Sequence, residues 1–173
     1  MTTDSPASGT PLVVLDVDGV IVPLKRFAEQ VEPGWVETSA GFPLRVRQEV
    51  LDALVELDAL ATAGVVDVVW CTTWKDQAPD HFGSWFGRGW PLVQLIDGPD
   101  SSWHKARGLV RWLQKNPHGR VLWFDDDAGK HRREVGKVAR LCDLTVVSPH
   151  DEVGLTDEHL ALIRSFTAPE GVA

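Results

Sequence analysis

Short apolar runs, separated by longer segments with helical periodicity, constrain the fold of this chain more than any other feature. The runs are rich in β-branched residues and bounded by turn-forming residues, as strands are. They are residues 12–15, 65–70, 92–96, 121–124 and 144–147. Because a run that is apolar throughout must be buried on both sides, these segments predict a parallel sheet covered by helices on each face. The predicted fold is α/β: a three-layer, Rossmann-like parallel sheet of about five strands.

Four segments outside the runs carry apolar residues at three- and four-residue spacing, the pattern of an amphipathic helix. They are residues 44–60, with a start near Pro43, and residues 103–115, 131–141 and 156–166. Gly64 lies where the first helix needs a C-terminal cap, and Thr156 precedes two acidic residues, as an N-cap does. The 173 residues are predicted to form a single domain over residues 12–167, with flexible tails at residues 1–11 and 168–173.

Composition and charge restrict the function. The chain has 17 basic and 25 acidic side chains, a formal net charge of −8, which argues against broad binding to nucleic acid but leaves a local basic groove open. The two cysteines, Cys71 and Cys142, do not amount to a disulfide framework. We see no signal-peptide pattern and no apolar run of 18 residues, so we expect a cytoplasmic protein without membrane contact.

Residues of the types that bind phosphate and metal ions follow the predicted strands or, in the case of Lys105, stand at the start of a predicted helix. In chain order they are Asp16, Asp18, Thr72, Thr73, Lys105, Asp125 and Asp126. Ligands of such sheets bind where the carboxyl ends of the strands meet, so these side chains should converge at one edge. Crowded carboxylates repel one another unless a cation joins them, and oxygen ligands favour Mg²⁺. Each feature alone is common in loops and helix caps, but chance does not readily supply all of them in this order.

These motifs resemble those of a known family. The segment LVVLDVDGVIV resembles motif I of the haloacid dehalogenase-like (HAD) phosphohydrolases, and VVWCTTW resembles motif II. Lys105 fits the motif III lysine, and VLWFDDD fits the paired-aspartate form of motif IV. The resemblance covers roughly residues 12–150. The pairing of WCTTW with WFDDD is most similar to the HAD domains of bacterial RNA-repair proteins.

The resemblance implies a Mg²⁺-dependent phosphatase. Asp16 would attack phosphorus and form an aspartyl-phosphate, and Asp18 would act as general acid and then as general base. The metal ion would be held by Asp16, the backbone carbonyl of Asp18 and Asp126. Asp125 would support the metal shell, which Asp127 could also join.

The same resemblance assigns phosphate binding to Lys105 and to a threonine that follows the second strand. We favour Thr72 because it directly ends the apolar run. Thr73 stays open, since a shift of one residue turns a side chain to the other face.

The sequence indicates the substrate less precisely than it indicates the type of reaction. About two dozen residues separate Gly19 from Pro43, enough for a minimal flap but not for a cap domain. The chain therefore looks capless, which suits a bulky phosphorylated substrate such as a protein phosphoresidue or an RNA end. Three classes stay open: a phosphatase, a nucleic-acid-end-processing enzyme and a non-catalytic phosphate-binding module. Intact Asp16 and Asp18 disfavour the last, and the oligomeric state is undetermined.

Tryptophan is unusually frequent, with eight residues and no tyrosine. Five tryptophans fall in predicted loops or helix ends on the side of the motifs: Trp35, Trp74, Trp85, Trp90 and Trp103. Packing beneath loops is the simpler interpretation, and a stacking platform for bases is the alternative. A positive rim for such a platform would come from Lys25, Arg26, Lys75, Arg88 and Arg107.

Overall fold

The structure is a computed structural model that describes residues 9–25, 30–39, 43–98 and 103–169. Its strands are β1 (Leu12–Leu15), β2 (Trp35–Ser39), β3 (Pro43–Arg47), β4 (Asp67–Trp70), β5 (Arg120–Phe124) and β6 (Asp143–Val147). Its α-helices are α1 (Gln48–Thr62), α2 (Gln77–Phe82), α3 (His104–Lys115), α4 (Arg132–Val138) and α5 (Asp157–Thr167). A single 3₁₀ turn, Ala128–Lys130, precedes α4.

Four strands form a parallel sheet in the order β4-β1-β5-β6. Leu15, the last residue of β1, is in register with Trp70 of β4 and with Phe124 of β5. The residues that follow these strands therefore meet at one edge of the sheet, which we call the carboxyl edge.

Helices cover the sheet on both faces, so the three-layer α/β prediction is confirmed. Val13 and Leu15 pack with the buried side of α1, α2 and α5 in one core cluster. Leu12 and Val14 pack with α3 and α4 in another. This alternation explains why every position of β1 is apolar, since each of its side chains enters one of the two cores.

The predicted strand at residues 92–96 is reduced to one bridge between Leu92 and Trp70. Pro91 has no amide hydrogen to extend the pairing. After Val93 the backbone turns to α3, where Ile96 N–H donates to the carbonyl of His104 at 3.3 Å. Within the described residues, the parallel sheet therefore has four strands rather than five.

Residues 43–47, predicted as the start of a helix, form β3 and pair with β2 in an antiparallel hairpin. Leu44 and Val46 belong to the same core cluster and are two residues apart, which is the spacing of side chains on one face of a strand. The helix prediction was wrong here because Val46 lies four residues before Val50, and this spacing continues the helical pattern of α1 toward the N-terminus. This hairpin is the minimal flap expected from the sequence, and Thr38 Oγ1 ties it to His81 Nε2 of α2 at 2.9 Å.

The other helix predictions hold, with small changes at the ends. The basic helix predicted at residues 131–141 spans Arg132–Val138. The predicted tails and domain boundaries stay predictions, and residues 1–8 and 170–173 lie outside the described residues. In the part of the chain that the structure describes, no helix has the length and apolar character needed to cross a membrane.

Candidate active site

Asp16 follows β1 at the carboxyl edge and is almost completely buried, with 2% of its surface exposed. Its backbone N–H donates to the carbonyl of Phe124 at 3.2 Å, which extends the pairing of β1 with β5. Its Oδ1 accepts the N–H of Val17 at 2.7 Å, and its Oδ2 accepts a hydrogen bond from Lys105. The carboxylate is thus fixed in orientation by the backbone on one side and an ammonium group on the other.

Lys105 lies in the first turn of α3 and reaches inward to the ends of two strands. Its ammonium contacts Oδ2 of Asp16 and donates to Oδ2 of Asp125 at 2.8 Å. Asp125 is fully buried, and its Oδ1 accepts the N–H of Asp127 at 3.0 Å. A buried cation therefore joins the carboxylate after β1 to the carboxylate after β5.

The pKa values of these groups are displaced by burial and by their mutual charges. Burial raises the pKa of Asp16. The charge of Lys105 and hydrogen bonding to Lys105, Val17 and Thr72 lower this pKa, but by less than burial raises it. Burial also raises the pKa of Asp125 to about 7, with Lys105 opposing and Asp16 adding to the rise. Burial alone would lower the pKa of Lys105, but Asp16 and Asp125 raise it above its ordinary value.

Asp126 completes a group of carboxylates that fits a metal ion. One carboxylate oxygen from each of Asp16, Asp125 and Asp126 lies within 4.8 Å of the others. Burial, Asp127 and Asp16 raise the pKa of Asp126. Three carboxylates thus face one ammonium, and an all-oxygen set with excess negative charge suits a hard divalent cation such as Mg²⁺.

The structure places the other predicted metal ligands differently. The side chain of Asp18 does not belong to this oxygen group, and its backbone carbonyl stays the predicted ligand. Asp127 pairs with Lys130 at 2.6 Å, and this hydrogen bond lowers the pKa of Asp127. Both oxygens of Asp125 are engaged by protein donors, which suits a supporting position beside the metal rather than a ligand position.

Gly19 allows Asp126 to approach the end of β1. Its φ of +70° is in the left-handed region that favours glycine. A Cβ atom at this position would lie 2.6 Å from Cγ of Asp126, which is closer than side chains approach. The glycine of the Asp-x-Asp-Gly segment is therefore required both by the turn and by the close approach of Asp126.

The two threonines after β4 point in different directions. Thr72 is 1% exposed and lies near enough to Asp16 to lower the pKa of that carboxyl, whereas Thr73 is exposed. The structure thus places Thr72 beside Asp16, whereas Thr73 lies in the exposed turn that follows.

Trp74 contacts two of the predicted site residues, which sequence reasoning missed. Its indole Nε1–H donates to Oδ2 of Asp18 at 2.9 Å. Its backbone N–H donates to Oγ1 of Thr72 at 3.2 Å, and its ring stacks on Phe82 with centroids 6.0 Å apart. The sequence indicated only that Trp74 lies on the side of the motifs, two residues after Thr72, and not that it contacts Asp18.

Two of the other tryptophans are core residues, so the packing interpretation is confirmed for them. Trp90 packs on Trp70 with ring centroids 4.9 Å apart. Trp103 stacks on Trp123 at 5.0 Å and on His131 at 4.6 Å. Neither can serve as a platform for bases, because both are about 95% buried.

Trp85 and Arg88 lie away from the candidate site. Both line a cavity of about 270 Å³ that also contacts Asp67, the first residue of β4 and thus at the opposite edge of the sheet. Trp35 lies in the flap, with the Lys25 ammonium 4.5 Å from its ring centroid. Arg26, also predicted for the positive rim, lies outside the described residues.

Comparison with known proteins agrees with this geometry. A family model described as the HAD domain in Swiss Army Knife RNA repair proteins matches residues 12–160. No curated protein matches the chain. The matched region contains the whole parallel sheet and every residue of the candidate site. The chain therefore belongs to the HAD-like phosphohydrolase superfamily, in the family of HAD domains in Swiss Army Knife RNA repair proteins.

Proposed function

We propose that this protein is a Mg²⁺-dependent phosphatase that acts through an aspartyl-phosphate on Asp16. HAD domains are generally hydrolases, which supports the reaction class. The observation that carries the proposal is the buried Asp16 carboxylate, fixed by Val17 and Lys105 beside the acidic oxygens of Asp125 and Asp126. Phosphoryl transfer requires an oriented nucleophile with positive charge beside it. Lys105 supplies part of that charge, and a Mg²⁺ ion held by the carboxylates would supply the rest.

In the first step, a carboxylate oxygen of Asp16 attacks phosphorus and the bond to the ester oxygen breaks. Asp18 gives its proton to the departing oxygen, which leaves as an alcohol. In the second step, Asp18 takes a proton from water, and the resulting hydroxide attacks the aspartyl-phosphate. Inorganic phosphate is released and Asp16 is regenerated. Lys105 and Thr72 hydrogen-bond the phosphoryl oxygens as negative charge develops on them.

Asp16, Asp126 and the backbone carbonyl of Asp18 would hold Mg²⁺, with Asp125 beside them. When bound, the ion would neutralise the repulsion between the nucleophilic carboxylate and the phosphate. Asp125 also orients Lys105, since the ammonium donates to both carboxylates.

The central test is the Asp16→Asn variant with an aryl phosphate and Mg²⁺. We expect the variant to keep its fold and lose at least about a thousandfold in kcat, because an amide is a poor nucleophile. The matched control is Asp67→Asn, which removes a carboxylate paired with His118 at the opposite edge and should leave the rate unchanged. An Asp16→Asn enzyme with more than a few per cent of wild-type activity would show that the covalent mechanism is wrong.

An RNA end is the substrate class that the family description favours, because the matching domains come from RNA repair proteins. The described residues between β1 and α1 form a minimal flap and contain no cap domain, which is consistent with a large substrate. We expect a higher kcat/KM for a phosphorylated oligoribonucleotide than for a phosphopeptide. The reverse order would favour a protein phosphatase, and phosphate binding without turnover of any ester would favour the non-catalytic module. A cytoplasmic location is part of this proposal and is tested by cell fractionation.

A further inference from the structure

Basic residues are concentrated in the segment that forms α3, β5 and α4. Residues 104–140 contain ten of the 17 lysines and arginines but only four of the 25 acidic residues, a net charge of +6. The rest of the chain, with seven basic and 21 acidic residues, has a net charge of −14. The overall charge of −8 therefore conceals a strong separation of charge between two parts of the molecule.

Seven of these ten basic residues are exposed. Lys130 pairs with Asp127, and the other six are Arg111, Lys115, Arg132, Arg133, Lys137 and Arg140. Among the residues that the structure describes, none of the six forms an ion pair. Basic residues on the other face of the sheet are neutralised, since Arg47 pairs with Asp157 at 2.8 Å and Arg164 pairs with Glu56 at 3.2 Å. The positive charge of these six residues is thus left for an external anion.

These side chains belong to one continuous face of the molecule. The helices α3 and α4 pack on the same side of the sheet, where Leu109, Leu113 and Val138 share one core cluster. They also contact each other directly. We call the outward side of the two helices, with the six residues named above, the α3–α4 basic surface.

The α3–α4 basic surface begins beside the candidate site. Lys105, in the first turn of α3, contacts Asp16, and α4 follows the loop that carries Asp125 and Asp126. Both helices run from the carboxyl edge toward the opposite edge of the sheet. With 12 residues at about 1.5 Å each, α3 extends about 18 Å from the site.

We propose that the α3–α4 basic surface binds the phosphate backbone of an RNA strand whose terminal phosphate occupies the site. This inference rests on the proposed function and states which surface of the protein binds the RNA substrate. A polyanion with regularly spaced phosphates fits a row of unneutralised cations, and one ligand then fills both the site and the surface. The acidic face formed by α1 and α5 repels the same strand, so the charge separation also orients it.

The test compares two double charge reversals that change the net charge equally. Arg133→Glu/Lys137→Glu alters the α3–α4 basic surface, and Arg88→Glu/Arg164→Glu is the matched control elsewhere. Fluorescence anisotropy measures the Kd for a single-stranded RNA of about twelve nucleotides that lacks a terminal phosphate. Aryl phosphate turnover is measured in parallel, so that a failure of the proposed function is seen separately from a failure of RNA binding.

We expect the α4 variant to raise the Kd by at least about tenfold and the control to change it less than about twofold. The slope of log K against log salt should become shallower by about 1.4, since each phosphate contact to a single strand contributes about 0.7. Aryl phosphate turnover should be unchanged in both variants. If the α4 variant does not fold, Arg111→Gln/Lys115→Gln on α3 provides the same comparison with smaller changes.

Equal losses in the two charge reversals would show that net charge alone acts, and this would overturn the proposal. No loss in the α4 variant would overturn it as well. Polyglutamate or anionic lipid vesicles that bind as tightly as RNA would assign the surface to another class of anion and contradict the inference.

Discussion

At the residue scale, the hydrogen bond from Trp74 to Asp18 explains how the proposed acid and base is oriented. Oδ2 of Asp18 accepts the indole N–H at 2.9 Å. An oxygen that already accepts a hydrogen bond is less available to a proton, so proton transfer falls to Oδ1. In the proposed mechanism Trp74 is therefore a positioning residue, which would act on the reaction through Asp18 rather than on the substrate.

Trp74→Phe keeps an aromatic ring against Phe82 but removes the N–H donor. We expect kcat/KM for a small alkyl phosphate to fall at least about tenfold, because its leaving group needs a proton. The loss should be less than about threefold for a 4-nitrophenyl ester, whose leaving group departs as an anion. Trp112→Phe, which removes a tryptophan stacked on His118 away from the site, is the control. Equal losses on the two esters would mean that Trp74 only packs.

Gly19 adopts the left-handed conformation of the turn and leaves space for Asp126, the proposed metal ligand. In Gly19→Ala, the new Cβ would displace Asp126, so we expect Mg²⁺ affinity, measured by calorimetric titration, to fall at least about tenfold. Gly64→Ala is the control, because Gly64 has a similar φ of +73° but nothing within 4 Å of an added Cβ. Both variants should lose about 1–2 kcal/mol of stability from the left-handed backbone. Comparable loss of Mg²⁺ affinity in both would contradict the role of Gly19.

At the scale of elements, α3 carries Lys105 into the site, and its position depends on a close approach to residues 92–96. A Cβ at Gly108 would lie 2.5 Å from the carbonyl oxygen of Gln94. The same segment is linked to the first residue of α3 by the hydrogen bond from Ile96 to His104. Residues 92–96, which do not form a fifth strand, therefore pack against α3 and help to fix the position of Lys105.

Gly108→Ala tests this packing. Alanine usually stabilises a helix interior by about 1 kcal/mol relative to glycine, but here we expect a loss of about 1–3 kcal/mol from the contact with Gln94. Gly136→Ala in α4 is the matched control, since an added Cβ there meets nothing within 4 Å, and it should gain about 0.5–1 kcal/mol. Urea unfolding measures both changes, and a stabilised Gly108→Ala variant would refute the contact.

At the scale of the whole molecule, the parallel sheet concentrates negative charge at one edge. Asp16, Asp125 and Asp126 come from the ends of two adjacent strands, and Lys105 compensates only part of their charge. Folding without a metal ion therefore works against repulsion at the site. Stability and metal binding should consequently be coupled.

We expect Mg²⁺ to raise the melting temperature of the wild-type protein, with about 2.7 kcal/mol of stabilisation at a hundred times the Kd. Asp126→Asn should abolish this gain. The metal-free variant should melt at the same temperature as the metal-free wild type or higher, because one repelling charge is gone. Differential scanning calorimetry with and without Mg²⁺ measures both effects. A full Mg²⁺ response in Asp126→Asn would place the metal elsewhere.

The sequence by itself determined the fold class and the composition of the site. The strands β1, β4, β5 and β6 are local apolar runs, and in a parallel sheet the residues after them must share an edge. Asp16, Thr72, Lys105 and Asp126 could therefore be named without knowledge of any distance. The local sequence patterns and the topology of the sheet both indicate that these residues lie at the same edge.

Only the tertiary structure decided which residues touch across the fold. Residues 43–47 and 92–96 departed from prediction because pairing with β2 and packing against α3 settled their conformation. The link from Trp74 to Asp18 spans 56 residues, and the bridge from Lys105 to Asp125 joins a helix to a strand end. Such contacts depend on how elements pack in three dimensions, and no periodicity along a single segment encodes them.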